Sequence, residues 1–193
     1  MRLALFDFDG TLTTKDSLEE FLIFYAGKRS YYLKLILFSP IFLMYKLKIM
    51  HNSKAKEMLF RLFFSTMKEQ AFRDLALRFS NSELDTILRD DIYKKFLSHI
   101  REGDRVIIVS ASMKCWLEPW ATRHKVELLC TELEFIDGEF SGHFSSKNCH
   151  GDEKLRRVKE ILSLDDYEEI FTYGDSSGDD AILAIADHKI KVK

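Results

Sequence analysis

The stretch Leu3–Thr14, LALFDFDGTLTT, constrains this chain more than any other. An apolar run that reads as a buried strand stops abruptly at two carboxylates, Asp7 and Asp9, followed by Gly10 and the hydroxyl-bearing Thr11 and Thr13. Either acid alone could cap a helix, but two acids closing an apolar strand have no structural purpose of that kind. They point to a ligand site, and open parallel α/β sheets hold their ligands at the carboxyl ends of strands.

The rest of the chain supplies such a sheet. From about Asp16 to Ile100 apolar residues recur at helical spacing, as in Phe60, Phe63, Phe64 and Met67, which predicts four or five helices. After Gly103 the period changes: RVIIVS is a short β-branched strand, Trp116 to His124 a helix and VELLC another strand. TELEFIDGEFSGHF holds two alternating runs around Asp137-Gly138, the signature of a tight β-hairpin. A helix from about Asp152 to Leu162, the strand EIFTYGD, a helix over Ala181 to Asp187 and a last strand KIKV complete the alternation. The predicted fold is α/β: a doubly wound, Rossmann-like parallel sheet with a helical block inserted after the first strand and a β-hairpin. The expected division is a discontinuous core of residues 1–14 and 102–193 and a helical cap of residues 15–101.

With 193 residues and 46% hydrophobic content the chain can bury one good core without disulfides. Cys115, Cys130 and Cys149 are odd in number and form no CxxC pair, so neither a disulfide framework nor a zinc knuckle is expected. No basic-then-apolar leader precedes the first strand, and a cytoplasmic location is expected. Net charge is −2, yet Ala26 to Arg61 carries eight basic residues against Glu57, a local balance of +7 that leaves −9 elsewhere. This stretch encloses Leu35 to Tyr45, an uncharged run of 11 residues. Crossing a bilayer asks for about 20 residues. The run is expected to form a buried helix pair broken at Ser39-Pro40; the other reading is a patch meeting a membrane surface. No nucleic-acid partner is expected.

Three polar clusters fall at predicted strand ends: Asp7, Asp9 and Thr11; Ser110, Ala111 and Ser112; and GDSSGDD with Asp175, Asp179 and Asp180. Converging carboxylates repel one another unless a cation lies among them, and hard Mg²⁺, which takes oxygen ligands, suits them. A hydroxyl, free amides and an ammonium such as that of Lys154 are what a phosphoryl group requires.

DFDGT, a strand ending in Ser110, the lysine of NCHGDEK and GDSSGD resemble, in that order, the haloacid dehalogenase superfamily of aspartyl-phosphate enzymes. With VSAS at 109–112 and PWA at 119–121, the chain is most similar to the phosphoserine phosphatase-like branch. The resemblance implies that Asp7 is the nucleophile and Asp9 the general acid and then base. It implies Mg²⁺ on Asp7, the main-chain carbonyl of Asp9 and Asp175, with Asp179 behind, and phosphoryl oxygens held by Ser110, the Ala111 amide and Lys154. The expected reaction is phosphomonoester hydrolysis through a phosphoaspartate, since relatives that cleave carbon–halogen bonds lack the second aspartate. A small phosphorylated alcohol or amino acid of the phosphoserine kind is the expected substrate, with Asp16 as the acid near the substrate amine and Arg61 the candidate for its carboxylate. The alternative is a lipid phosphate of the phosphatidylglycerophosphate type. Hinges for the cap are expected near Thr14 to Asp16 and Arg101 to Asp104. A receiver-like signalling module is set aside because Asp7 lies on the first strand, and Trp116 and Trp120, at i and i+4, are read as packing.

Overall fold

Strand β1 (Leu3–Phe6) is buried at every residue and lies at the centre of the sheet. It is flanked by β2 (Arg105–Met113) on one side and β6 (Ile170–Gly174) on the other, with β3 (Glu127–Thr131) and β7 (His188–Lys191) outside, in a computed structural model that describes residues 1–193. All four pairings are parallel, and Phe6 stands opposite both Ile108 and Tyr173. The carboxyl ends of the three inner strands are therefore level. Strand order reverses at β1, which makes the crevice beyond it the ligand position in a fold of this kind.

Alternate side chains explain the layers, because successive residues of a strand face opposite sides of the sheet. Leu3, Leu5, Ile107, Val109 and Ile170 pack with Val158 of α7 (Asp152–Ile161) and Ile182 of α8 (Asp180–Ala184). On the other face Ala4, Phe6 and Ile108 join Phe96 of α5 (Asp90–Arg101) and Trp120 of α6 (Lys114–His124). Trp116 and Trp120 are both fully buried, and the three cysteines are free.

The insertion also contains α1 (Ser17–Ala26), α2 (Lys28–Lys46), α3 (Asn52–Phe64) and α4 (Glu69–Ser82). Its last helix, α5, lies on the sheet: Phe96 meets Phe6 edge-on at 5.4 Å, and His99 bonds the Tyr173 hydroxyl at 2.9 Å. The crossing back from the cap thus falls at Leu88–Arg89, not at the expected Arg101 to Asp104. There Thr13 and Leu88 pair, and the Arg89 amide donates to the Leu12 carbonyl at 2.8 Å.

The expectation of a buried helix pair broken at Ser39-Pro40 is overturned. Helix α2 runs unbroken through Pro40. Proline cannot donate to the carbonyl four residues back, that of Ile36. The Ser39 hydroxyl bonds that carbonyl at 2.7 Å instead, so the acceptor is satisfied. Burial is confined to one face: Tyr31 and Phe38 are buried, whereas Ile36 and Leu37 are 68% and 72% exposed.

Strands β4 (Leu133–Ile136) and β5 (Glu139–Phe144) form the hairpin, with Asp137 at φ 52° and Gly138 at φ 76°, as a tight primed turn demands. The hairpin straps the cap to the core. The Glu69 amide donates to the Gly138 carbonyl at 2.8 Å, and Phe60 of α3 packs on Phe140 and Phe144. Phe21 of α1 stacks on Trp116 at 4.5 Å, so one apolar cluster runs from the sheet into the cap.

Candidate active site

Beyond β1 the chain makes one wide turn, Phe8–Leu12, whose backbone is extended at Asp9 and left-handed at Gly10, with φ 77°. A Cβ on Gly10 would lie 2.6 Å from an Asp175 carboxylate oxygen, so glycine is needed both for the backbone conformation and for the approach of that acid. Asp7 is buried, its amide held by the Tyr173 carbonyl at 2.9 Å. The Lys154 ammonium donates to Asp7 Oδ1 at 2.5 Å and to Asp179 Oδ1 at 2.7 Å, and Thr11 Oγ1 donates to Asp7 Oδ2 at 3.3 Å. Asp179 Oδ2 accepts from the amides of Asp175 and Ser176, both at 3.1 Å.

These environments set the charge states. Burial raises the Asp7 carboxyl above the usual carboxylate range, opposed by Lys154. Burial raises Asp9 too, helped by the neighbouring Asp16. Burial also acts on Asp179, but the Lys154 ammonium and the two amides hold it below the usual range. Desolvation works against the Lys154 charge, yet Asp7 and Asp179 keep that group firmly protonated. Asp7, Asp175 and Asp179 each offer an oxygen, all within 4.8 Å of one another. Three hard oxygen donors facing one lysine leave an excess of negative charge, and this donor set fits Mg²⁺.

Asp9 is oriented from the cap as well as from the sheet. The Ser17 amide donates to Asp9 Oδ1 at 2.8 Å, and the Ser112 hydroxyl, itself 2.8 Å from Ser17 Oγ, donates to Oδ2. Trp116 Nε1 fixes Ser17 Oγ at 3.2 Å. Ser112 stood in the strand-end cluster, but nothing in the sequence joined it to Asp9 across 103 residues.

A cavity of about 420 Å³ opens over these groups, with Asp7, Asp9, Ser110, Ala111, Lys154 and Asp175 at its polar end. The sequence missed Lys56 and His150, which also line it. Lys56 Nζ lies 3.3 Å from the Ala111 carbonyl, and burial lowers its ammonium below the usual lysine range. Burial likewise lowers His150, against which Gly178 packs too closely for any Cβ. Asp16 is at the rim, where Oδ1 caps α1 by accepting from Leu18 N at 2.8 Å and Glu19 N at 3.1 Å.

Arg61 is not brought to the site. It is exposed on the far side of α3, where Nε donates to the Gly142 carbonyl at 3.0 Å and the guanidinium meets His143. A second cavity, about 400 Å³, adjoins the first and shares Asp16, Leu18, Phe38, Phe42 and Leu59 with it. Leu22, Tyr31 and Leu35 continue its wall, so the polar end leads into an apolar cleft between α1, α2 and α3.

A level row of strand-end acids, one buried lysine and a helical insertion after β1 define a class of α/β hydrolase. The chain belongs to the haloacid dehalogenase-like hydrolases, whose family model matches residues 4–184. It is 32% identical over 189 residues to Protein CicA of Caulobacter vibrioides (strain NA1000 / CB15N), an alignment covering 97% of this chain and 84% of that one. Among solved structures, a protein of unknown function from Bordetella pertussis Tohama I superposes with a TM-score of 0.79 at 23% identity, covering 96% of this chain and 86% of that one. A phosphoserine phosphohydrolase-like protein from Francisella tularensis subsp. tularensis SCHU S4 gives 0.68 at 20% identity, covering 95% and 82%. A phospho-aspartyl intermediate analogue of phosphoserine phosphatase gives 0.67 at 14% identity, with the same coverages. The fold is therefore shared with phosphoserine phosphatases.

Proposed function

We propose that the protein is a Mg²⁺-dependent phosphomonoesterase that works through a phosphoaspartate on Asp7 and releases an alcohol with a substantial apolar part. The observation that carries this reading is the continuity between the acid-and-lysine end of the main cavity and the apolar cleft under α2.

Asp7 attacks phosphorus, the ester P–O bond breaks, and Asp9 passes its proton to the departing alkoxide. The burial that raises Asp9 lets it carry that proton near neutral pH. Asp9, now a base, takes a proton from water as the water attacks the phosphoaspartate, and phosphate leaves with Asp7 restored. The Ser110 hydroxyl, the Ala111 amide and Lys154 hold the phosphoryl oxygens. Mg²⁺, held by Asp7, Asp175 and the Asp9 carbonyl with Asp179 behind, would offset the negative charge shared by phosphate and acids.

Two placements disfavour a phosphoserine-type substrate: Arg61 is tied to the hairpin, and Asp16 caps α1. Lys56 is the cap cation that reaches the cavity. The test is a Mg²⁺-dependent hydrolysis series from phosphoserine and short alkyl phosphates to long-chain ones, with Asp7→Asn as blank. Catalytic efficiency should rise with chain length while the blank stays inactive. A flat series, or a preference for phosphoserine, overturns the apolar-alcohol reading. Turnover by the blank overturns the nucleophile.

A further inference from the structure

We infer that the outer face of α2 docks on an anionic lipid bilayer. Leu33, Ile36, Leu37 and Leu43 follow one another at helical spacing along that face and are 65%, 68%, 72% and 58% exposed, and Leu47, which caps the helix, is 61% exposed. Ile49, just beyond the helix, is 67% exposed. Single exposed apolar residues are ordinary; a continuous stripe of them marks an interaction surface.

Charge identifies the occupant. No aspartate or glutamate occurs from Phe21 to Lys56, while Lys28, Arg29, Lys48 and Lys54 are exposed around the stripe. Lys46, also exposed, lies with its ammonium 5.3 Å from the Phe42 centroid, whereas Lys34 is turned towards α3, where it donates to the Leu62 carbonyl at 3.1 Å. An apolar band framed by long basic side chains is the pattern of a helix lying in a lipid interface. A second copy of this chain would set the same cations against one another with no acid between them. The helix lies on the surface instead of spanning, for no helix of the chain is long and apolar enough to cross a membrane.

Docking here also bears on the site. The same helix walls the apolar cleft from inside with Leu35, Phe38 and Phe42. The aromatic strap from the hairpin through Phe60 to Trp116 opposes lifting the cap as one body. A bilayer against α2 therefore adjoins the cleft that the apolar alcohol would occupy. That last step rests on the proposed substrate class; the docking itself does not.

The experiment is co-sedimentation of the full chain with phosphatidylcholine vesicles, with and without about 30% phosphatidylglycerol. Binding should need the anionic lipid and weaken several-fold at about 0.5 M salt. The double variant Ile36→Asp, Leu37→Asp, at positions lining neither cavity, should bind at least about tenfold more weakly yet hydrolyse a water-soluble aryl phosphate like the parent. Lys28→Glu with Arg29→Glu should also weaken binding, and Asp7→Asn should sediment like the parent, which separates docking from chemistry. Parent protein that stays in solution with anionic vesicles overturns the inference. So does a double variant that binds undiminished, or a dimer that the double variant dissolves.

Discussion

Replacing Lys154 with methionine removes one charge from the centre of the site while keeping the unbranched side chain as far as its Cε position. Lys154 is 2% exposed, with Nζ 2.5 Å from Asp7 and 2.7 Å from Asp179. Removing one partner of a buried ion pair costs about 3–5 kcal/mol, because the other charge is stranded. Two acids are stranded here, but Asp7, already raised by burial, can take up a proton, so the loss should lie near the lower end, about 3 kcal/mol. For a chain of this length each kcal/mol moves the melting midpoint by about 2–4 °C, giving a fall of about 6–12 °C in EDTA. Magnesium should then recover more of the midpoint in the variant than in the parent, since the unpaired acids have only the metal to offset them. Adding Asp179→Asn should restore most of the apo stability while hydrolysis stays at least about 100-fold down, because the phosphoryl group has lost its ammonium. Calorimetry with and without EDTA, beside a phosphate-release assay, reads each quantity. A single variant that melts within about 2 °C of the parent in EDTA would refute the reasoning, since the ammonium would then not be stabilising either acid.

Gly10→Ala forces Asp175 aside, because the new Cβ would lie 2.6 Å from its carboxylate; the Mg²⁺ concentration for half-maximal activity should rise at least about tenfold, read by metal titration. Ser112→Ala removes a donor to Asp9 and should lower turnover about tenfold while leaving the Michaelis constant near the parent value, as steady-state kinetics would report. The pH dependence of the metal-free protein follows from Asp7 and Asp9, whose folded forms bind protons more tightly than the unfolded chain. Their stabilisation is complete below the ordinary carboxylate range and is lost as pH rises through it to the folded values of about 6 and about 7, so the melting midpoint in EDTA should decline between about pH 4 and pH 7. Asp9→Asn should flatten that decline, and an unchanged slope would count against a buried, proton-binding Asp9.

The chemical end of the molecule was legible because its groups sit where local patterns are strongest. Asp7, Ser110 and Asp175 each follow a short apolar run, and parallel strands of level register carry the three to one edge whatever the intervening chain does. Lys154 was legible from its place in the first turn of α7. The selective end was much less so, because the faces of the cap helices are decided by packing between elements far apart in sequence. Lys56 and Arg61 both lie on α3, but five residues at 100° each set them about 140° apart, so at most one can face the cavity. The family resemblance asks for a cap arginine and made Arg61 its candidate; the hairpin, through the Gly142 carbonyl, claimed it and left Lys56 lining the cavity. Helix α2 misled for a related reason. Being apolar on both faces, it has no clear amphipathic period, and such a helix reads as buried unless something other than protein covers one side. Its continuity through Pro40 depended on a single hydroxyl, Ser39, supplying the bond that proline cannot. One physical condition joins these cases: a strand end announces its chemistry through its own residues, whereas a cap helix acquires its chemistry from what packs against it. The specificity of this hydrolase therefore has to be sought on α2 and α3, by varying Phe38, Phe42 and Lys56 against alcohols of graded polarity, and not on the strand ends to which we assign the reaction.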